Sequence, residues 1–227
     1  MTLKKDEALQ KIEGEFEKFA NLALEQLDRM ESIITDGHEV PDDLIKHIKE
    51  TEVELDKNDV KISDKIVNCI VLYHPVASDL RKLMAIYRIV ISIERIGDHV
   101  VNIVNFIQKI KTPEVYEKLQ EVLHNMTIQS VRMVKRSIMS FINEERELAV
   151  WTLKNGYVFD EINHKILKKL ISAAKSEEAN KKLLLSIINI KEMMSNIERI
   201  ADHASNIAEA SIYFLEGTDI RHHKITE

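Results

Sequence analysis

Two five-residue strings carry the clearest chemistry in this chain, Glu94-Arg-Ile-Gly-Asp98 and Glu198-Arg-Ile-Ala-Asp202. Side chains four apart on a helix lie one above the other, so Glu94, Asp98 and Asn102 line a single stripe. Unscreened carboxylates at that spacing repel by about 0.2–0.5 kcal/mol, which a solvated face tolerates and which Arg95 and Arg199 could relieve. A second helix sharpens the picture. Glu52 and Asp56 form another acidic pair four residues apart, upstream of a break at His74-Pro75. Asp56 lies 19 residues before Pro75 and Glu94 lies 19 after it, so an antiparallel hairpin brings them level. Carboxylates gathered from two helices either raise their own pKa values or recruit cations. Oxygen-rich sites suit Mg, Ca, Mn or Fe, and the adjacent His99 and His203 could add imidazole and admit Zn or Fe. The competing reading is an acidic surface ridge paired locally with arginine.

The strings belong to a longer repeat. A constant shift of 104 residues takes Glu94 to Glu198, Asp98 to Asp202, Asp56 to Asp160, Lys61 to Lys165 and Lys65 to Lys169, without a gap. Chance matches of Leu on Leu between amphipathic helices are common. The run Ile-Glu-Arg-Ile-small-Asp-His at Ile93 and again at Ile197 is not of that kind. The chain is therefore read as a tandem duplication. The expected metal ligands are Glu52, Asp56, Glu94 and Asp98 in the first half and Asp160, Glu198 and Asp202 in the second. The repeat partner of Glu52 is Gly156, which leaves the second site one carboxylate poorer. Gly97 and Ala201 fall beside the stripe, where a bulky residue would hold a neighbouring helix away.

These residues need long helices to position them, and the composition supplies them. Among 227 residues there are only five Gly and three Pro, with few aromatics. Breaks fall at Asp36-Gly37 with Pro41, at His74-Pro75, at Thr112-Pro113, at Asn143-Glu144-Glu145 and at Ser176, and Gly217 closes the last helix. Pro75 and Pro113 are expected at the first position of their helices, with His74 as a helix-start residue and Thr112 as an N-cap. Apolar residues recur at three and four between the breaks, as in Ile86, Ile89, Ile93, Ile96, Val100 and Ile103. The expected fold is all-α, with two tandem three-helix bundles of six long helices related by internal duplication. The boundaries are 1–111, 112–217 and a C-terminal tail at 218–227.

Other chemistries find less support. A net charge of −6 without a basic stripe argues against nucleic acid. Cys69 is the sole cysteine, which excludes an internal disulfide and CxxC metal sites, and its apolar surroundings suit a small buried hydrophobe. No stretch reaches the ~20 apolar residues of a membrane span, and the N-terminus lacks a signal-peptide core, so a cytoplasmic location is expected. Glu121-x-x-His124 and Glu161-x-x-His164 have di-iron spacing, but the repeat does not reproduce them. No nucleophile triad and no Gly-rich phosphate loop can be located.

The block Pro75-Val-Ala-Ser-Asp79-Leu-Arg81, together with Ile93-Glu-Arg-Ile-Gly-Asp-His99 and Ile197-Glu-Arg-Ile-Ala-Asp-His203, resembles the PhoU family of bacterial phosphate-signalling proteins, over essentially the whole chain. The resemblance implies a six-helix protein of two bundles that is not an enzyme, in a family some of whose members bind mono- or multinuclear metal clusters through E(D)xxxD motifs. It implies a cytoplasmic adaptor between the phosphate ABC transporter ATPase and the sensor histidine kinase of the phosphate regulon, acting as a negative regulator. Membrane association would come only through those partners, a homodimer is expected, and the metal would be Fe, Zn, Mn or Mg. The alternatives are a carboxylate-bridged metalloenzyme resembling a phosphohydrolase and a metal or phosphate buffer. The second half lacks a counterpart of Pro75–Arg81, and Ala201 stands where the family motif has Gly.

Overall fold

The computed structural model describes residues 2–37, 39–156 and 181–220, and within them the chain forms six helices and no strand. In order these are α1 (Thr2–Asp36), α2 (Asp42–Tyr73), α3 (Ala77–Ile107), α4 (Pro113–Ile142), α5 (Arg146–Asn155) and α6 (Lys181–Glu216). Five of them run 30 to 36 residues, as the periodicity predicts, while α5 is described over 10. Ser176 and Asp160 lie outside the described residues.

The helix ends follow local chemistry, with three departures from expectation. Helix α1 stops at Gly37, whose positive φ of 125° few other residues adopt, and α2 opens with Asp42 and Asp43 in the electropositive first turn. At the next break, His74 is not a helix-start residue. It ends α2 in the left-handed conformation, φ 47°, with its N–H donating to Ile70 O. Pro75 is not the first residue of α3 either, because an extended Val76 must follow it as N-cap before the chain can turn into Ala77. Pro113 does open α4, but the Thr112 side chain makes no capping bond. Ser186 Oγ of α6 instead accepts the backbone N–H groups of Lys111 and Thr112, at 2.9 and 3.0 Å, tying the linker to the last helix. Between α4 and α5, Asn143 ends the earlier helix and Glu145 stands at the N-cap of the later one without a side-chain capping bond. Gly217, φ 73°, follows the end of α6 as expected.

Helices α1, α2 and α3 pack together, as do α4, α5 and α6. The two groups are not separate globules. Helix α3 packs most extensively on α6, and α1 also meets α4. One continuous apolar core runs from Ile12 through Ile93, Ile96 and Val100 to Ile197 and Ala210. Each fully buried Ile in it contributes about 1.5–3 kcal/mol relative to exposure, so the α3–α6 seam is a large share of the stability of both halves. Cys69 is buried, as its neighbours suggest. No helix among the described residues is long and apolar enough to cross a membrane.

Candidate functional site

The turn at His74–Val76 folds α2 back along α3, and the acids converge at the level counted from Pro75. Glu52 feels the charges of Asp98 and Asp56, and Glu94 feels those of Asp98, Asp59 and Asp56. Asp59, one turn beyond Asp56, was not singled out by spacing and joins the same group. Burial is the main cause of the resulting shifts. It pushes Glu52 up to about 7, opposed by a hydrogen bond from Gln26 and reinforced by Asp98 and Asp56. Burial and then the Asp98 charge raise Glu94, against the pull of Arg95. Arg95 does what the sequence suggests, pairing with Glu94 at 3.4 Å and Asp98 at 3.6 Å from a side chain that is 58% exposed.

Gly97 explains how Glu52 fits. A methyl added there would come 2.5 Å from Glu52 Oε2 and 2.8 Å from Leu55 Cδ1. Beyond the gap stands Gln26 of α1, fully buried, with Nε2 donating to Ile48 O at 3.1 Å and reaching Glu52 Oε2 at 3.5 Å. Gln26 Oε1 and Glu52 Oε1 are both buried without a hydrogen-bond partner among the described residues. Such atoms cost about 1–3 kcal/mol each when left unsatisfied. Either the proton that Glu52 keeps up to about 7 or a cation would relieve two buried oxygens and a crowd of carboxylates. As they stand, no three His, Cys, Asp or Glu side chains among the described residues are gathered tightly enough to coordinate one ion. The Arg95 pairings are weak enough for a cation to displace. In the second half Glu198 is half-buried and Asp202 exposed on α6, and Asp160 lies outside the described residues.

The histidines point elsewhere. His99 and His203 face each other between the halves, ring centroids 5.6 Å apart, rather than joining the acids. A neighbour in sequence lies about 100° round a helix, which turns His99 from the Asp98 stripe into the α3–α6 seam. The repeat shift takes His99 onto His203, so the axis relating the halves passes between the two rings. His99 Nδ1 pairs with Asn196 Oδ1 at 2.9 Å. The symmetric position is Ser92, too short to reciprocate, and His203 Nδ1 is buried without a partner among the described residues. Burial, then the His99 charge, lowers His203 to about 4, and burial also lowers His99. His124, of the di-iron spacing, is engaged with Thr35 Oγ1 at 2.9 Å.

The chain itself matches known proteins over most of its length. A curated protein of Aquifex aeolicus, named phosphate-specific transport system accessory protein PhoU homolog, is 31% identical over 92% of this chain and 92% of its own. One of the same name from Burkholderia is 28% identical over 78% of this chain and 75% of its own. The fold is that of the PhoU crystal structure from Pseudomonas aeruginosa, with a TM-score of 0.83 at 22% identity over 94% of this chain and 99% of that one. The structure of the phosphate transport system regulatory protein PhoU from Streptococcus pneumoniae gives a TM-score of 0.81 at 21% identity, covering 95% and 98%. The family model for the PhoU domain matches twice, at residues 16–107 and 123–211, once on each half of the repeat, and the chain belongs to the PhoU family.

Proposed function

We propose that this protein is a non-catalytic, cytoplasmic regulator of phosphate uptake, coupling a phosphate ABC transporter to its sensor histidine kinase as a negative regulator. Membership of the family supports a regulatory role in phosphate transport. The observation that carries the reading further is the acidic pentad, repeated once per PhoU domain. Glu52, Asp56, Glu94 and Asp98 would hold a divalent ion in the first half, and Glu198, Asp202 and Asp160 a second one. Mg, Mn, Fe and Zn are the candidates, oxygen donors favouring the harder ions. A bound ion would supply fixed positive charge in place of Arg95, so that a face repelling itself becomes one stable surface for a partner to meet.

Pull-downs with the transporter ATPase and the sensor kinase, at low and high phosphate, test the adaptor role. Capture of at least one of them is expected, and capture of neither at any phosphate level would count decisively against it. The competing reading is a carboxylate-bridged phosphohydrolase. Incubation with a phosphomonoester and Mn or Mg separates the two: turnover abolished by Asp98→Ala would replace the adaptor by an enzyme.

A further inference from the structure

Helix α2 has two apolar faces. The inner one, with Ile48, Leu55, Ile62 and Ile66, is buried where α2 packs on α1 and α3. The outer one consists of Val53, Val60, Val67 and Val71, which are 50, 60, 54 and 61% exposed. Exposed valines scattered singly are ordinary, but these recur along one line. With the charges between them the line reads Val53, Lys57, Val60, Asp64, Val67, Val71, in alternating steps of four and three. That spacing keeps a stripe turned toward a single neighbouring helix, here over about five turns. On a solvated face Ala, Lys or Glu would serve the helix better than valine, which loses side-chain freedom there.

The charges in the line say which neighbour fits. Lys57 and Asp64 are exposed and paired with nothing among the described residues. A parallel copy of the same helix would set Lys57 on Lys57 and Asp64 on Asp64. An antiparallel copy, turned about a two-fold axis near Val60, sets Lys57 within about a turn of the partner's Asp64, and the same pair recurs across the axis. The second half repeats no such line, since the shift replaces Val53, Val60 and Val71 by Tyr157, His164 and Lys175.

We propose that the outer face of α2 is a self-docking surface, on which a second copy of this chain lays its own α2 antiparallel. One self-complementary face per chain closes at two copies. The expectation of a homodimer gains from it a face and an orientation, and neither depends on the acids or on a bound ion.

Sedimentation of the full-length chain across its soluble concentration range reads the association, with melting curves as the check on folding. The wild type should dimerise. Val60→Glu, at an exposed site, should fold as the wild type does and weaken the dimer at least about 10-fold, because like charges then meet at the axis. Lys57→Glu and Asp64→Lys should each weaken the dimer, and the double exchange should restore it. Single cysteines and a short bifunctional maleimide separate the orientations, since Cys69 is buried and leaves the wild type unreactive. Val60→Cys should cross-link to itself, and Val53→Cys to Val67→Cys but not to itself. A monomeric wild type, a dimer indifferent to Val60→Glu and to the charge exchanges, or Val53→Cys cross-linking to itself would overturn the proposal. So would a monomeric wild type that captures the transporter ATPase or the sensor kinase and loses it in Val60→Glu, which would give the face to another protein.

Discussion

Replacing Glu52 by Gln should stabilise the metal-free protein at pH 8 and do little at pH 4.5. A carboxyl ordinarily near 4.5 that sits at about 7 in the fold is held there mainly by burial. The raised value means that the folded state prefers the protonated group. Below about 4.5 the group costs nothing; the penalty grows as pH rises between 4.5 and 7, and above 7 it is complete. Undiluted, the displacement corresponds to about 3 kcal/mol. Glu52 keeps part of its surface in water, which brings the expectation down to about 1–2 kcal/mol. In a chain of this size that is a rise in Tm of roughly 2–8 °C. His203 acts in the opposite sense, since its lowered value, about 4, penalises the fold as pH falls through the usual histidine range. Comparing variant with wild type at each pH cancels that contribution. Thermal and urea unfolding with a chelator present, at pH 8, 7 and 4.5, measures the difference. Added Mn²⁺ should reverse the order at pH 8, because the variant loses a charged ligand. A variant less stable at pH 8, or stabilised equally at pH 8 and 4.5, would refute the assignment of Glu52 as a buried, charge-crowded carboxyl.

The remaining expectations concern the groups around it. Arg95→Ala should change stability by less than about 1 kcal/mol, as for an exposed ion pair, and should tighten Mn²⁺ binding by removing the competing cation; weaker binding would show that Arg95 organises the acids rather than blocks them. Ser92→Asn should give His203 Nδ1 the partner that Asn196 gives His99, and raise stability by about 1 kcal/mol in denaturant titrations. An unchanged or lower midpoint would mean that the seam does not follow the repeat there. Tyr116 is fully buried and its hydroxyl donates to Ile34 O at 3.0 Å, binding α4 to the end of α1. Tyr116→Phe should cost about 1–2 kcal/mol, and an unaltered melting curve would deny that bond any net value.

Much of the site is legible because helices convert residue counts into distances. Equal counts from Pro75 place Glu52 and Asp56 level with Glu94 and Asp98, and the small residue at 97 marks the close approach of α2. What the counts leave out depends on contacts between distant segments. Gln26 reads as one polar residue among Ala23, Leu24 and Leu27, and only the tertiary fold brings Ile48 O and Glu52 to it. One signal was available: the repeat shift sets Gln26 against Ser130, a difference behind the same acidic face. His99 and His203 stand apart from the acids because consecutive helical side chains diverge, so adjacency to Asp98 and Asp202 in sequence does not carry over into space. Helix starts were blurred for a related reason. Proline favours a first turn, but the reversal after His74 demands an extended residue before α3 can begin.

The meeting of His99 with its own repeat equivalent has a consequence for how such a chain can change. Two separate copies of a single bundle, associating about a two-fold axis, would form an isologous pair in which every substitution appears on both sides. Joined in one polypeptide, the halves meet at an effective concentration set by the short linker at Lys111-Thr112, whatever the protein concentration. Linkage also lets each side of the axis diverge alone. Asn196 opposite Ser92, Gly156 in the place of Glu52 and Ala201 in the place of Gly97 are differences that no symmetric dimer can hold.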